Sequence, residues 1–475
     1  MLDVLDVGIE YLNAAGDGVA HIGRRTLLVP FTIPGERVRV EVDRRARDAS
    51  TIPARLLEVL SASPHRVVPG CRHFGTDERL DAQGERGCGG CSWQHIAYPE
   101  QLRLKTALVH RLLKEALRRS PPVKPTLPGT PGKPWGYRNK VHFVFGNAAS
   151  SRHPGHLLLG HYARGSRRIV PVEECPVHAE GGNRVAVAFF DAFRRAGVTA
   201  ATSARTGRTR EAAAGVLRSI AVRVASGGPD VMATLVVSND RDARLRSASR
   251  RAMNTNDAPT GLHLNVHPRG DASIFGRETR TLVGPARLRE QVAGTSFLVS
   301  PTAFFQTNVH AAGLLVELVL DAIPEGERVL DLYAGAGLFA LPLARRGHTV
   351  LAVEESRAAV ADGEVSARLN RVAPQQCQFV ARPVESALAT IQAAEAVVLD
   401  PPREGCGAGV IDDIFGRLRP RRVVYVSCNP EALARDLRAA SSFRYAIQTV
   451  QPVDMFPHTA HVETVVTMVR ANRDS

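Results

Sequence analysis

RVLDLYAGAGLFA, Arg328–Ala340, decides the fold. After Arg328, the run Val329-Leu330-Asp331-Leu332 is apolar around one aspartate, which reads as a buried strand. Gly335 and Gly337 let the backbone turn tightly where a helix begins, and a ligand can come close to such a turn. Strand, glycine turn and helix together announce an α/β layer. Working outward, similar strands recur at TVLAV (349–353), AVVLD (396–400), VVYV (423–426) and YAIQTV (445–450), with helical patterns among them. That alternation, from Phe297 to the C-terminal region, is the signature of a doubly wound, largely parallel sheet. The last segment, Val462–Val469, follows its predecessor after too short a gap for a crossover helix and is expected to run antiparallel.

The carboxyl edge of that sheet collects chemistry. Tyr333 lies in the first turn, and Glu354 closes the second strand, placed to accept hydrogen bonds from ribose hydroxyls. Gly335, Gly337 and Ala340 satisfy a loose dinucleotide fingerprint, so an NAD-linked oxidoreductase is one reading. Asp331, followed by an aromatic-small-Gly-x-Gly turn, and the acidic motif Asp400-Pro401-Pro402-Arg403 favour S-adenosylmethionine (SAM) instead. Ligands in open α/β sheets bind outside the carboxyl ends of the strands, where Tyr333, Glu354, Asp400 and Cys428 are expected to converge.

Cys428 sits between the Val423–Val426 strand and a helix opened by Asn429 as N-cap and Pro430 as first residue. A helix N-terminus favours thiolate over thiol, and thiolate is the nucleophile. Most free cysteines are small buried hydrophobes, so position alone does not settle its role.

Upstream the chain is different. Residues 1–62 alternate apolar and polar positions between tight turns at Gly16-Asp17-Gly18 and Pro34-Gly35-Glu36, as in a small oligonucleotide-binding barrel. Arg24, Arg25, Arg37, Arg39, Arg44 and Arg45 would give it a face for tracking a nucleic-acid backbone. Residues 63–130 hold CGGCSWQH (88–95), a basic amphipathic helix over Gln101–Arg118, and a Pro- and Gly-rich linker from Ser120. Residues 131–295 read as a mainly β middle domain with a helical patch near 186–195, and residues 296–475 as the α/β domain. Net charge is +14 with pI ≈ 10.0, which points to a polyanion such as RNA or to solvated basic faces. No apolar stretch is long enough for a bilayer, and MLDVLDVGIE carries acids where a signal peptide carries bases, so a cytoplasmic protein is expected. Its seven cysteines then read as metal ligands, catalytic groups or buried thiols. Cys88-Gly-Gly-Cys91 is one tight ligand pair, with Cys71 upstream and Cys175 downstream. Four thiolates suit either zinc or an iron–sulfur cluster.

FFQTN (304–308), LDLYAGAG (330–337), LDPPREGCG (399–407), VYVSCNP (424–430) and DMFPHTAHVET (454–464), in that order, resemble the motifs of the RNA 5-methyluridine methyltransferase family. The likeness extends over nearly the whole chain, the barrel resembling a TRAM domain and CGGCSWQH the family's cluster loop. It implies a Rossmann-like SAM-dependent methyltransferase domain with cofactor contacts at Gln306, Tyr333, Gly335, Gly337, Glu354 and Asp400. It implies a [4Fe–4S] cluster on Cys71, Cys88, Cys91 and Cys175, with zinc the less favoured occupant. The insertion Arg72–Gly87 departs from the family spacing between the first and second cysteines, so the resemblance supports Cys71 less than the other three ligands. It also implies uridine C5 methylation, with Cys428 as nucleophile and Glu463 as base. RNA is the expected partner, ribosomal ahead of transfer RNA, with no membrane and no obligate protein partner. Arg403 stands where amino-nitrogen methyltransferases carry a stacking aromatic, and Pro402 where RNA cytosine-C5 enzymes carry a second cysteine. A non-catalytic RNA-binding protein is the remaining alternative.

Overall fold

A computed structural model describes residues 2–43, 50–75, 87–148, 156–201, 215–269 and 273–471. Arg44 and Arg45 of the barrel's expected basic face lie outside the described residues. The site is positioned by a seven-stranded sheet in the order Cys377–Ala381, Thr349–Glu354, Arg328–Leu332, Ala396–Leu399, Arg422–Ser427, Glu463–Arg470, Tyr445–Val453. The first five strands are mutually parallel. Glu463–Arg470 runs antiparallel to both its neighbours, because only a short loop separates it from Tyr445–Val453. Chain order reverses between Arg328–Leu332 and Ala396–Leu399, which opens a crevice at their carboxyl ends. The edge strand Cys377–Ala381 has no counterpart in the sequence reading. It is short and half exposed, and its Gln378 interrupts the apolar run.

Burial explains why these segments are strands. Val424 and Val426 face a core with Leu315, Val316 and Phe339, while Val423 and Tyr425 face a second core on the other side of the sheet. A strand covered on both faces reads as continuous apolar sequence. The second core also takes Val109 and Leu113 from the helix Tyr98–Ala116. The Ser120–Pro134 segment, expected as a linker, is a strap along the same sheet. Lys124 N–H donates to Val450 O (2.9 Å), Leu127 N–H to Pro452 O (3.0 Å), and Asp454 N–H to Leu127 O (2.9 Å). Pro and Gly content marks such a segment as irregular but does not decide whether it is tethered.

The N-terminal sheet has six strands between Leu2 and Ser61, packed around Val29, Val38, Val40 and Leu27. Arg39 is held by Asp6 (2.9 Å) and Glu58 (3.1 Å), so part of the barrel's positive charge is neutralised within the protein. The middle domain is a second seven-stranded sheet, with helices Glu180–Arg195 and Ala243–Met253 packed on it through Phe189, Phe193, Leu245 and Ala248. Ala243–Met253 connects Val231–Val237 to the parallel strand Gly261–Val266, and its dense arginines hide it from the sequence pattern. Among the described residues no helix is long and apolar enough to cross a membrane.

Candidate active site

Cys428 ends the turn after Arg422–Ser427, half buried, one residue before the N-cap of the helix Pro430–Ala440. Asn429 Oδ1 accepts from Glu431 N–H (3.0 Å), and its Nδ2 donates to Arg403 O (2.9 Å). That second bond ties the Asp-Pro-Pro-Arg loop to the cysteine turn. Across the antiparallel pair Ser427 lies opposite Thr464, which brings Cys428 level with Glu463. Glu463 is only 5% exposed. Asp400 follows the neighbouring strand Ala396–Leu399, with its N–H directed at Leu332 O (3.3 Å).

Burial raises the proton affinity of all three groups, and the acids add to it at Cys428 and Glu463. Burial pushes the Cys428 thiol up to about 12, with the Glu463 and Asp400 carboxyls adding to it and Arg403 opposing. The expectation of a helix-activated thiolate is thus corrected for the free protein. A helix terminus contributes about 0.3–1 kcal/mol near a surface, less than desolvation beside two acids. Burial, then Asp400, lifts Glu463 to about 8, and burial lifts Asp400 to about 7. A carboxyl near neutrality can take up and release a proton, as an acid–base catalyst must.

The glycine turn forms a cradle beside them. Tyr333 (φ 62°), Gly335 (φ 55°) and Gly337 (φ 84°) are all left-handed, and a Cβ on Gly337 would meet the Phe379 ring at 2.8 Å. For tyrosine that conformation is strained, and such strain concentrates at functional sites. Glu354 accepts from Gly335 N–H (2.9 Å) and Ser356 N–H (2.8 Å), which fixes its carboxylate at the turn. Gln306 is buried in the loop before Val309–Ala322. The next-but-one residue, Asn308, caps that helix and donates to Met455 O (3.0 Å).

Asp331 lies within the glycine-turn motif, where the sequence alone assigns it no role. It is fully buried and neither oxygen completes a hydrogen bond, Ala340 N–H being only a weak neighbour. Burial, with Asp400 and Glu354 adding, holds its carboxyl well above the ordinary range. An orphaned buried carboxyl beside a glycine cradle fits a bound polar cofactor.

A second constellation lies in the middle of the chain. A cavity of about 420 Å³ is lined by Cys71, Cys88, Cys91 and Cys175, with Arg138, His161 and His178 in its wall. Burial raises all four thiols, Cys91 to about 11 and Cys175 to about 12, and the neighbouring thiols raise both further. Cys71 therefore joins the group despite the insertion. Gly87 N–H donates to Gly75 O (2.7 Å) and Cys88 N–H to His73 O (2.8 Å), so the insertion closes on itself and returns the chain to Cys71. Residues 76–86 of it lie outside the described residues. The middle domain holds the loop from the other side through Gly89 N–H to Tyr162 O (2.9 Å).

A family model described as tRNA (Uracil-5-)-methyltransferase matches residues 288–471, and one described as the TRAM domain of tRNA (uracil(54)-C(5))-methyltransferase matches residues 5–64. An uncharacterized RNA methyltransferase of Gloeobacter violaceus is 34% identical over 474 residues, covering 98% of this chain and 96% of that protein. The chain belongs to the RNA uracil-C5 methyltransferase family. An uncharacterized RNA methyltransferase of Halalkalibacterium halodurans is similar too, at 31% over 477 residues, covering 99% and 98%. The crystal structure of Pyrococcus abyssi tRNA (uracil-54, C5)-methyltransferase with S-adenosyl-L-homocysteine superposes with a TM-score of 0.75 at 25% identity, over 98% of this chain and 100% of that one.

This uracil-C5 methyltransferase accordingly has the α/β SAM-methyltransferase fold with an N-terminal TRAM domain, and SAM is its methyl donor. The oxidoreductase, RNA cytosine-C5 and non-catalytic readings fall away. Of the residues singled out from sequence, Cys428, Glu463 and Asp400 meet at one sheet edge with Tyr333, Gly335, Gly337 and Glu354, and the four cluster cysteines meet in a separate chamber. Of the flanking histidines, His461 is exposed whereas His458 is buried with specific partners. Gln101, on the basic helix, is the partner that sequence reasoning missed, and nothing local could have revealed it.

Proposed function

We propose that this enzyme methylates C5 of a uridine extruded from structured RNA, with Cys428 as nucleophile and Glu463 as base. The observation that carries the reading is the register of Arg422–Ser427 against Glu463–Arg470. It sets a thiol and a buried carboxyl with raised proton affinity level with each other at the carboxyl edge of the sheet. Uracil C5 is a poor nucleophile. The Cys428 S–H first gives up its proton to solvent; addition of the thiolate to C6 then moves the C5=C6 electron pair towards O4, and the resulting enolate carbon can accept a methyl group. Bound SAM supplies that methyl as an electrophile on a positively charged sulfur. Glu463 then takes the C5 proton, the C5=C6 bond re-forms, and the Cys428 sulfur leaves. Arg403, which opposes the upward shift of both groups, favours their anionic forms when they are needed.

The cofactor cradle in this reading is Tyr333, Gly335, Gly337, Glu354, Asp400 and Gln306, with Asp331 as an additional member. A strained turn, a Gly337 whose added Cβ would clash with Phe379, and an unsatisfied buried carboxyl support it.

For the chamber we propose a [4Fe–4S] cluster on Cys71, Cys88, Cys91 and Cys175. A tetrahedral zinc draws its sulfurs to within about 4 Å of one another. Among the described residues the group whose candidate ligand atoms all lie within 4.8 Å is His161, Cys175 and His178, not a trio of the four thiols. Four thiols spread around a roomy cavity suit a larger inorganic core. It would be structural, remote from the methyl-transfer step.

The RNA is proposed to be ribosomal, on the TRAM-plus-cluster layout. The full-length likeness to the Pyrococcus abyssi protein, whose name specifies uracil-54 of tRNA, favours transfer RNA as the second reading. Labelled SAM is incubated with unmodified ribosomal and transfer RNA and the nucleosides are analysed. Label in 5-methyluridine from one of them is the expected result; label only in 5-methylcytidine, or none, would sink the proposal. Cys428→Ala should abolish labelling while SAM still binds, and Glu463→Gln should accumulate a covalent protein–RNA adduct.

A further inference from the structure

The nine residues 454–462, between Tyr445–Val453 and Glu463–Arg470, carry the chain into Glu463. Their partners come from elsewhere. Asp454 forms an ion pair with Lys105 of the helix Tyr98–Ala116, both fully buried. Lys105 Nζ also donates to Phe456 O (3.2 Å), and Tyr137 OH donates to Pro457 O (3.0 Å). Ala460 packs with Trp93, Leu12 and Leu104 in a small core shared by the barrel, the cluster loop and the helix.

His458 is the centre of this arrangement. Its N–H donates to Gln101 Oε1 (2.8 Å), and Gln101 Nε2 lies 3.3 Å from its Nδ1. Its carbonyl accepts from both Ser92 N–H (3.0 Å) and Trp93 N–H (2.9 Å), the two residues after Cys91. Its ring stacks on Trp135 at 4.0 Å between centroids, with 29° between planes. Its φ is 66°, a left-handed conformation uncommon for any residue other than glycine. Gln101 Nε2 also donates to Trp93 O (3.1 Å) and Ile96 O (2.9 Å), so one amide joins the cluster loop to the base-bearing segment.

We propose that His458 is a positioning residue for methyl transfer, locking the segment that presents Glu463 onto the cluster loop. The proposal rests on the reading of Glu463 as the base. It assigns the cluster loop a role in the reaction, to hold a rigid shelf against which residues 454–462 are set. The chemistry needs such a shelf, because Glu463 must reach C5 of a base that is already bonded to Cys428. A small displacement of a reacting group is costly in rate.

The test uses the full-length enzyme with its RNA substrate. His458→Gly keeps the left-handed backbone without strain and removes the ring. His458→Asn tolerates the same φ and places a side-chain oxygen near the position of Nδ1. With His458→Gly, kcat should fall by about tenfold or more while SAM affinity and the KM for RNA stay within about twofold. The same variant should accumulate an RNA adduct that survives denaturing electrophoresis, as Glu463→Gln does, because proton removal is the step that slows. His458→Asn should recover part of the rate. Turnover close to wild type in His458→Gly would overturn the proposal. So would turnover, adduct and SAM binding all falling together, the mark of a merely structural role. Glu463→Gln run alongside separates the two claims. No adduct in that variant removes the role of Glu463 and this proposal with it, whereas adduct there but not in His458→Gly overturns this proposal alone.

Discussion

Glu463→Gln should make the free enzyme more stable, and increasingly so as pH rises. The buried carboxyl holds its proton to about pH 8 in the folded protein, against an ordinary value of 4.5. Between those values the folded state keeps a proton that the unfolded chain has released, so stability falls with pH across that window. Glutamine resembles the protonated acid in shape and never ionises, and the variant escapes this loss. The slope is at most about 1.4 kcal/mol per pH unit, so between pH 5 and pH 7 the stability difference should widen by up to about 2.7 kcal/mol. Water penetration and proton sharing with Asp400, which is lifted to about 7, reduce the expectation to about 1–2 kcal/mol. Urea unfolding of the full-length wild type and variant, followed by circular dichroism at pH 5, 7 and 8.5, measures it. A difference that stays flat with pH, or a variant that loses stability relative to wild type on going from pH 5 to 8.5, would refute the burial argument and with it the tuned base.

Three further outcomes are expected. Lys105→Met leaves Asp454 as a buried unpaired charge and should cost about 3–5 kcal/mol in unfolding experiments, much of which Lys105→Met with Asp454→Asn should restore. Gly337→Ala forces a Cβ against Phe379 at a left-handed φ and should weaken SAM binding by about tenfold or more in calorimetric titration, with RNA affinity unchanged. Cys71→Ser, purified anaerobically, should lose most of its iron and sulfide, and retention of both at wild-type stoichiometry would remove Cys71 from the ligand set.

What could be read in advance is what short-range sterics encode. The glycine turn at 335–337, the Asn429-Pro430 helix start and the doubly buried strand Val423–Val426 are local patterns, and each forms where it is expected. The antiparallel last strand follows from connection length alone. Cys377–Ala381 and Ala243–Met253 escape notice because their formation depends on packing against a sheet edge and a middle-domain core, not on strong periodicity.

The α/β class, the motifs at the carboxyl edge of its sheet and the identities of the thiols and acids available for chemistry are all local properties of the chain. Tertiary structure alone decides their state and their company. Burial in the folded chain pushes the Cys428 thiol up, and Glu463 and Asp400, brought in from other strands, add to that shift. Cys71 rejoins its partners because the ends of the insertion hydrogen-bond to each other. His458 is fixed by Gln101, 357 positions away. Desolvation, Coulomb interaction and long-range hydrogen bonding depend on distances that only the folded chain creates, and local sequence carries no record of them.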